Sequence, residues 1–193
     1  MSEQWYQCVT AAERITQGDL IFDCPLLGWQ FERPQSEGAA EEDVLRRSIA
    51  VVSGDVVVMT QACDLEHEKV DNVVLCSHIS LPEFRRAWEE QMRVTGQGIT
   101  DRAWRRQCDD IGEGFVWNLS MLNAGSADGL KIEHRIVAFH EVYTVPRRLL
   151  ESLLTRRGSP RLRLLPPYRE HLSQAFARFF MRVGLPTPID KAW

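Results

Sequence analysis

The chain has 193 residues, of which 44% are hydrophobic and 26% charged, with a formal net charge of −4. This is the balance of an ordinary globular domain, too apolar for a disordered chain and of a length that suits one core. No stretch approaches the roughly 18–20 uninterrupted apolar residues of a membrane span. The opening MSEQWYQCVTAAER has no basic segment leading into an apolar one, so a cytoplasmic protein without membrane contact is expected.

In chain order, ITQGDLIFDC at residues 15–24 predicts a turn at Gly18-Asp19 and then a strand closed by Pro25. Residues 33–43 are polar and small and predict a loop. Residues 49–60 hold two β-branched runs around Ser53-Gly54-Asp55, and the second run, VVVMT, is apolar enough for a strand buried on both faces. A polar stretch, QACDLEHEKVDN, connects it to a second strong strand, VVLCSHISL. These two strands are expected to be neighbours.

Leu81-Pro82 places proline in a first helical turn, and Phe84, Trp88 and Met92 follow at four-residue spacing. Gly96 and Gly98 end that helix. Thr100 and Asp101 predict the cap of a second one, ended by Gly112 and Gly114. Residues 115–122 fit a strand or a short buried helix equally well. NAGSADG reads as a turn, residues 130–145 as one long strand, and Pro146 as the start of a helix through RRLLESLL. RLRLL is a short strand. Pro166-Pro167 opens a final helix over about 167–183, with Leu172, Phe176, Phe179 and Phe180 on an apolar face buried against the barrel or a partner subunit and Arg169 and Arg178 at its edge. Strands on both sides of a helical insert at 81–114, without regular β-α-β alternation, predict one α+β domain with an antiparallel, barrel-like sheet.

Charge is unevenly distributed. Residues 144–193 hold ten basic against three acidic residues, whereas residues 1–143 hold 13 against 24. Such a tail either docks on phosphates or folds back on the acidic body, and the second reading is preferred. Arg outnumbers Lys by 20 to 3 and suits both, since its fork pairs with carboxylate or phosphate. The five cysteines are widely spaced and include no CxxC, which argues against disulfides. Cys63, His67, Cys76 and His78 make a conceivable zinc set. They lack the close pairing of zinc modules, so no metal or cofactor is expected, and Cys24, Cys63 and Cys76 read as small buried residues.

The densest polar cluster follows the buried strand and holds Thr60, Gln61, Cys63, Asp64, Glu66 and His67. A rigid strand end positions such residues well, and Cys63, Asp64 and His67 are expected in a cleft with an Arg. Cys63 is a candidate nucleophile with His67 as its base, and Asp64 with His67 a candidate acid–base pair. The bland alternative is an Asx-turn with solvated neighbours.

The succession GDLIFD, VVVMTQACD and VVLCSHIS resembles the MazF/PemK toxin family over about residues 16–80. The resemblance implies an SH3-like barrel acting on single-stranded RNA and, at its furthest, a metal-independent endoribonuclease toxin of bacterial type. Its pattern is broken where the family has an Arg-Pro before the second strand, because Ser53-Gly54-Asp55 stands there and Arg46 and Arg47 lie upstream. Ser77 or Ser80 stands at the family's hydroxyl position, and His78 is new. On this reading Cys63, Asp64, His67 and His78 are the catalytic candidates and Arg147, Arg148, Arg169 and Arg178 the RNA-binding ones. The competing readings are a non-enzymatic module for a protein partner or a homodimer, and a cysteine-dependent enzyme using Cys63.

Overall fold

The computed structural model describes residues 4–30 and 41–181. Its elements run β1 (Tyr6–Val9), β2 (Leu20–Trp29), α1 (Glu41–Ser48), β3 (Ile49–Val58), α2 (Ala62–Glu66), β4 (Asn72–Ser80), α3 (Leu81–Val94) and α4 (Asp101–Gly112). The second half continues with β5 (Leu119–Leu122), β6 (Gly125–Ala127), β7 (Leu130–Ile132), β8 (Arg135–Pro146), α5 (Arg147–Arg157), β9 (Arg161–Leu164) and α6 (Tyr168–Phe180). The fold is α+β, centred on a five-stranded antiparallel sheet in the order β2-β3-β4-β8-β5.

β3 and β4 are neighbours as expected, with Val56, Val57 and Val58 opposite Ser77, Cys76 and Leu75. Side chains alternate between the two faces of a strand, and here both faces are covered. Val57, Cys76 and Val137 join one cluster with Tyr6, Phe139, Leu164 and Leu172. Val56, Val58 and Leu75 join the other with Leu65, Leu150 and Leu154. Among the described residues the hydrogen-bonded sheet has two ends, β2 and β5, and does not close into a barrel.

Several elements differ from their sequence readings. Pro25 does not end β2, which runs on to Trp29 paired with Ile49; a proline is tolerated there because the strand lies at an edge and needs no ladder donor on its open side. β3 is one continuous strand through Gly54. The expected loop at 33–43 falls mostly outside the described residues, and Glu41 to Asp43 open α1. The polar connection after β3 contains α2. The long strand at 130–145 is two, broken at residues 133–134: β7 pairs with β6 in a tight hairpin turned by Asp128 and Gly129, both at positive φ (46° and 85°), and β8 begins at Arg135. Residues 115–118 are irregular, and only Leu119–Leu122 form a strand.

α6 keeps its apolar face only in part. Leu172 is buried, Phe176 and Phe179 are half-buried with their rings against Phe139, and Phe180 is 58% exposed. Within the single chain the expected burial is met by Leu172 and in part by Phe176 and Phe179, while Phe180 at the C-terminal end lies outside it. The expected end of the helix near residue 183 lies outside the described residues. Phe176→Ala is expected to lower unfolding free energy by about 1.5–2.5 kcal/mol, below the roughly 3–5 of a fully enclosed phenylalanine. Urea denaturation checks it, and a loss under 0.5 kcal/mol would contradict the packing against Phe139.

Candidate nucleic-acid interface

Part of the charge asymmetry is settled inside the molecule. Asp19 is fully buried, and both Arg161 and Arg163 reach it, Arg161 Nε at 2.7 Å. The remaining Arg161 nitrogens donate to the carbonyls of Thr10, Glu13 and Arg14. Gly18, at φ 84°, lets the chain pass so close to β9 that a Cβ would sit 3.0 Å from Leu164. Arg157 donates to the carbonyls of Phe22 and Asp23. Arg147 pairs with Glu68 and Glu151, and the Arg147 guanidinium, hydrogen-bonded to Glu68, holds the Glu68 carboxyl below the usual carboxylate range.

Of the catalytic candidates, Cys63, Asp64 and His67 sit on or just after α2. Cys63 and His67 are exposed, and Lys69 lies 3.7 Å from Asp64. The Cys63 thiol contacts the Gln61 and Asp64 side-chain oxygens rather than an imidazole. Cys63 is thus not the buried residue expected, whereas Cys24 and Cys76 are, and burial pushes the Cys76 thiol up to about 12. Exposed Cys63 and buried Cys76 do not form a zinc set, and no group of three or more metal-binding side chains occurs among the described residues.

His78 is elsewhere, buried at the centre of a network. Arg135 Nε donates to His78 Nδ1 at 3.0 Å and Arg135 also pairs with Asp55. Asp55 in turn accepts from the Asp23 backbone at 3.0 Å, where β2 bulges between Ile21 and Cys24. Phe22 covers the assembly, edge-on to His78 and 5.3 Å from the Arg135 guanidinium. Burial first, and the Arg135 charge second, press the His78 pKa down to about 3. Asp55, Arg135 and His78 therefore form a buried lock on the bulge, and the ring is neutral and screened from solvent.

The groove between β5, the end of α4 and α6 is different in kind. It encloses about 390 Å³ and is lined by Trp5, Trp117 and Tyr168, with His171, Gln174, Arg178, Ser120 and Glu113 among its polar groups. Tyr168, His171, Leu172, Ala175 and Arg178 recur at helical spacing along the α6 face turned to it. Leu172 anchors that face in the core. Trp5 stacks on Tyr168 at 3.9 Å and 13°, and the Arg178 guanidinium lies 5.7 Å from the Trp117 ring centre. Phe115 stands exposed two residues before Trp117.

Of the four RNA-binding candidates, Arg178 is at this groove. Arg169 turns toward Gly18 and pairs with Glu170. Arg147 and Arg148 line a second cavity with Arg14, Glu68 and Glu151. None of Cys63, Asp64, His67 and His78 lines the groove. Trp5, Trp117 and Tyr168 were not legible as site residues, since they come from three distant parts of the chain. The α6 spacing of Tyr168, His171 and Arg178 was the one signal available. No family model matches this sequence, nor does any curated protein.

Proposed function

We propose that this chain is an RNA-directed protein that holds single-stranded RNA in the groove between β5 and α6. The observation that carries the reading is the pair of aromatic platforms there, Trp5 on Tyr168 and Trp117 under Arg178. Tyr168 and Arg178 are ten residues apart on one helix, about 15 Å at the α-helical rise. Flat rings beside a cation are the chemistry that takes unpaired bases without demanding a sequence, at roughly 1–3 kcal/mol per stacked base. His171, Gln174, Ser120 and Glu113 offer donors and acceptors to base edges.

The kinship with MazF/PemK toxins remains part of the proposal. The three segments that carry the likeness fall on β2, β3 and β4, successive strands of one sheet. The Asp19–Arg163 bridge ties β9 to the start of β2, and β9 pairs with β1. We read this curl as an open relative of the small barrel. The activity proposed is binding rather than cleavage. Cleavage needs a base, an acid and a cation converging on one phosphate, and the four catalytic candidates lie off the groove.

The test is titration of full-length protein into labelled mixed-sequence single-stranded RNA at several salt concentrations. Trp117→Ala and Arg178→Ala are each expected to weaken binding 10- to 100-fold without a change in melting temperature, and Arg178→Ala to reduce the salt slope by about 0.7. Wild-type protein without salt-sensitive binding, or variants that bind as it does, would overturn the reading. RNA cleavage in chelator would extend it to a metal-independent endoribonuclease.

A further inference from the structure

The cavity along α5, of about 350 Å³, shares no residue with the β5–α6 groove. Its charges run against the ordinary rule for a helix. The first turn of α5 holds Arg147 and Arg148 and no acidic residue, and Pro146 at its N-cap offers no side-chain acceptor. A helix N-terminus carries partial positive charge, so two arginines there need a negative partner from elsewhere. Glu68 supplies it. Its half-exposed carboxylate lies 3.2 Å from Arg147 and 3.6 Å from Arg14, and the charge of Arg148 also acts on it. The Glu68 backbone sits at φ 53°, a left-handed conformation that residues other than Gly, Asn and Asp rarely adopt. A strained residue that sets its carboxylate among three guanidiniums marks a place built for negative charge.

The carboxylate fills that place incompletely. Arg147 is nine-tenths buried and lines the cavity, yet it meets Glu68 through one nitrogen at 3.2 Å and Glu151 through another at 3.8 Å. Its Nε has no acceptor among the described residues. A guanidinium fork is matched by an acceptor with two oxygens in reach, which a phosphate group presents. The charges agree. Glu13 is committed to the Thr10 amide and to Arg163. With Glu68 turned out to water, Arg14, Arg147 and Arg148 face Glu151, three cations against one anion. That surplus of two matches the charge of about −1.5 to −2 on a phosphate monoester at pH 7. Ala11, Ala12 and Leu154 give the cavity an apolar wall beside the arginines, and its volume is that of a small-molecule site.

We propose that this cavity binds a phosphate dianion, free or as the head of a small monoester, in the place that the Glu68 carboxylate holds between Arg14, Arg147 and Arg148. Glu68 is then an internal competitor that keeps the arginines paired until the ligand arrives. The site has no residue in common with the groove, so the proposal stands apart from the RNA reading.

Isothermal titration calorimetry of the full-length chain at constant ionic strength tests it, with inorganic phosphate, ribose 5-phosphate and adenosine 5′-monophosphate as ligands and adenosine as control. Phosphate is expected to bind in at least one of these forms with a Kd below about 1 mM, and adenosine not to bind. Esters that bind more tightly than inorganic phosphate place the ester group against the apolar wall; the reverse order makes the free anion the ligand. Arg14→Ala and Arg148→Ala, both at exposed positions, are each expected to weaken binding about 10-fold or more with an unchanged melting temperature. Glu68→Gln keeps the shape and removes the competing charge, and is expected to tighten binding about 5-fold. Absence of binding below about 1 mM for all three phosphates overturns the proposal. So does adenosine binding as well as its monophosphate, an Arg148→Ala variant that binds like the wild type, or a Glu68→Gln variant that binds no more tightly.

Discussion

Replacing Asp19 by alanine is expected to remove about 3–5 kcal/mol of stability, because it strands two arginines that lose their shared counter-charge. Asp19 is wholly enclosed, Arg161 nearly so, and Arg163 largely covered. Arg161 is further committed to three backbone carbonyls of the 10–14 segment, so it cannot swing out to water without releasing that segment. The cluster joins β9 to the start of β2 and, through β9, holds β1 in place. Against a total of roughly 5–15 kcal/mol for a domain, the loss is large. Urea denaturation of Asp19→Ala beside Glu170→Ala checks it. Glu170 pairs with Arg169 at the surface, and losing such a pair costs under about 1 kcal/mol. If the two variants were equally stable, the buried cluster would not be what closes this end of the fold.

Local chemistry was readable from the sequence and long-range convergence was not. Thr100 caps α4 as its residue type predicts, accepting from Ala103 N at 3.1 Å. Ser80 and Glu83 form a full capping box at the start of α3, a Ser-x-x-Glu spacing that the sequence shows as plainly as Pro82 does. Asp128-Gly129 was equally available as a hairpin turn. The VVVMT run was legible because an apolar strand has nowhere to go but between two layers. Exposure was harder to read. Cys63 is outside although its type favours burial, and Phe180 is outside although it shares a helix face with Leu172. Periodicity gives a direction around a helix axis but not the height at which the neighbouring layer ends.

The candidate site illustrates the same division. Gly18-Asp19 stood out in the sequence, yet the partners of Asp19 lie more than 140 residues downstream. Arg135 comes from the far side of the helical insert to meet Asp55 and His78. The Trp5–Tyr168 platform joins the two ends of the described chain. Antiparallel sheets bring distant segments together by strand order, and that order is a property of the whole fold. Part of the basic surplus is also held within the molecule, since Arg147, Arg157, Arg161 and Arg163 donate to acidic or carbonyl oxygens. Arg178 is the predicted RNA-binding arginine that the fold brings to the aromatic groove.

Stability should fall as the pH drops below about 6.5, with His78 as a principal cause. In the folded chain its pKa is pressed down to about 3, by burial first and by the Arg135 charge second, while the Val56 carbonyl favours the protonated ring to a lesser degree. An unfolded chain binds a proton at the ordinary value near 6.5. Between these limits the unfolded state holds the extra proton, so acid favours unfolding. The contribution is complete above about 6.5 and is lost as the pH falls toward 3. Each pH unit in that window costs about 1.4 kcal/mol, so going from 6.5 to 5 removes about 2 kcal/mol and the whole window about 5. Asp55 pairs with Arg135, Tyr6 near it is a phenol that stays protonated throughout this range, and the Glu83 carboxyl, held below its usual range first by its hydrogen bonds with Ser80, contributes alike to wild type and variant. The difference between wild type and His78→Asn isolates the ring, because asparagine keeps an acceptor for Arg135 Nε but does not titrate. The variant is expected to be less stable at pH 7, having lost volume beneath Phe22, yet to lose about 2 kcal/mol less than wild type on going to pH 5. Urea midpoints at the two pH values give both numbers. Parallel losses in the two proteins would mean that His78 takes up its proton in the folded state, and that the lock around Asp55 and Arg135 opens to water.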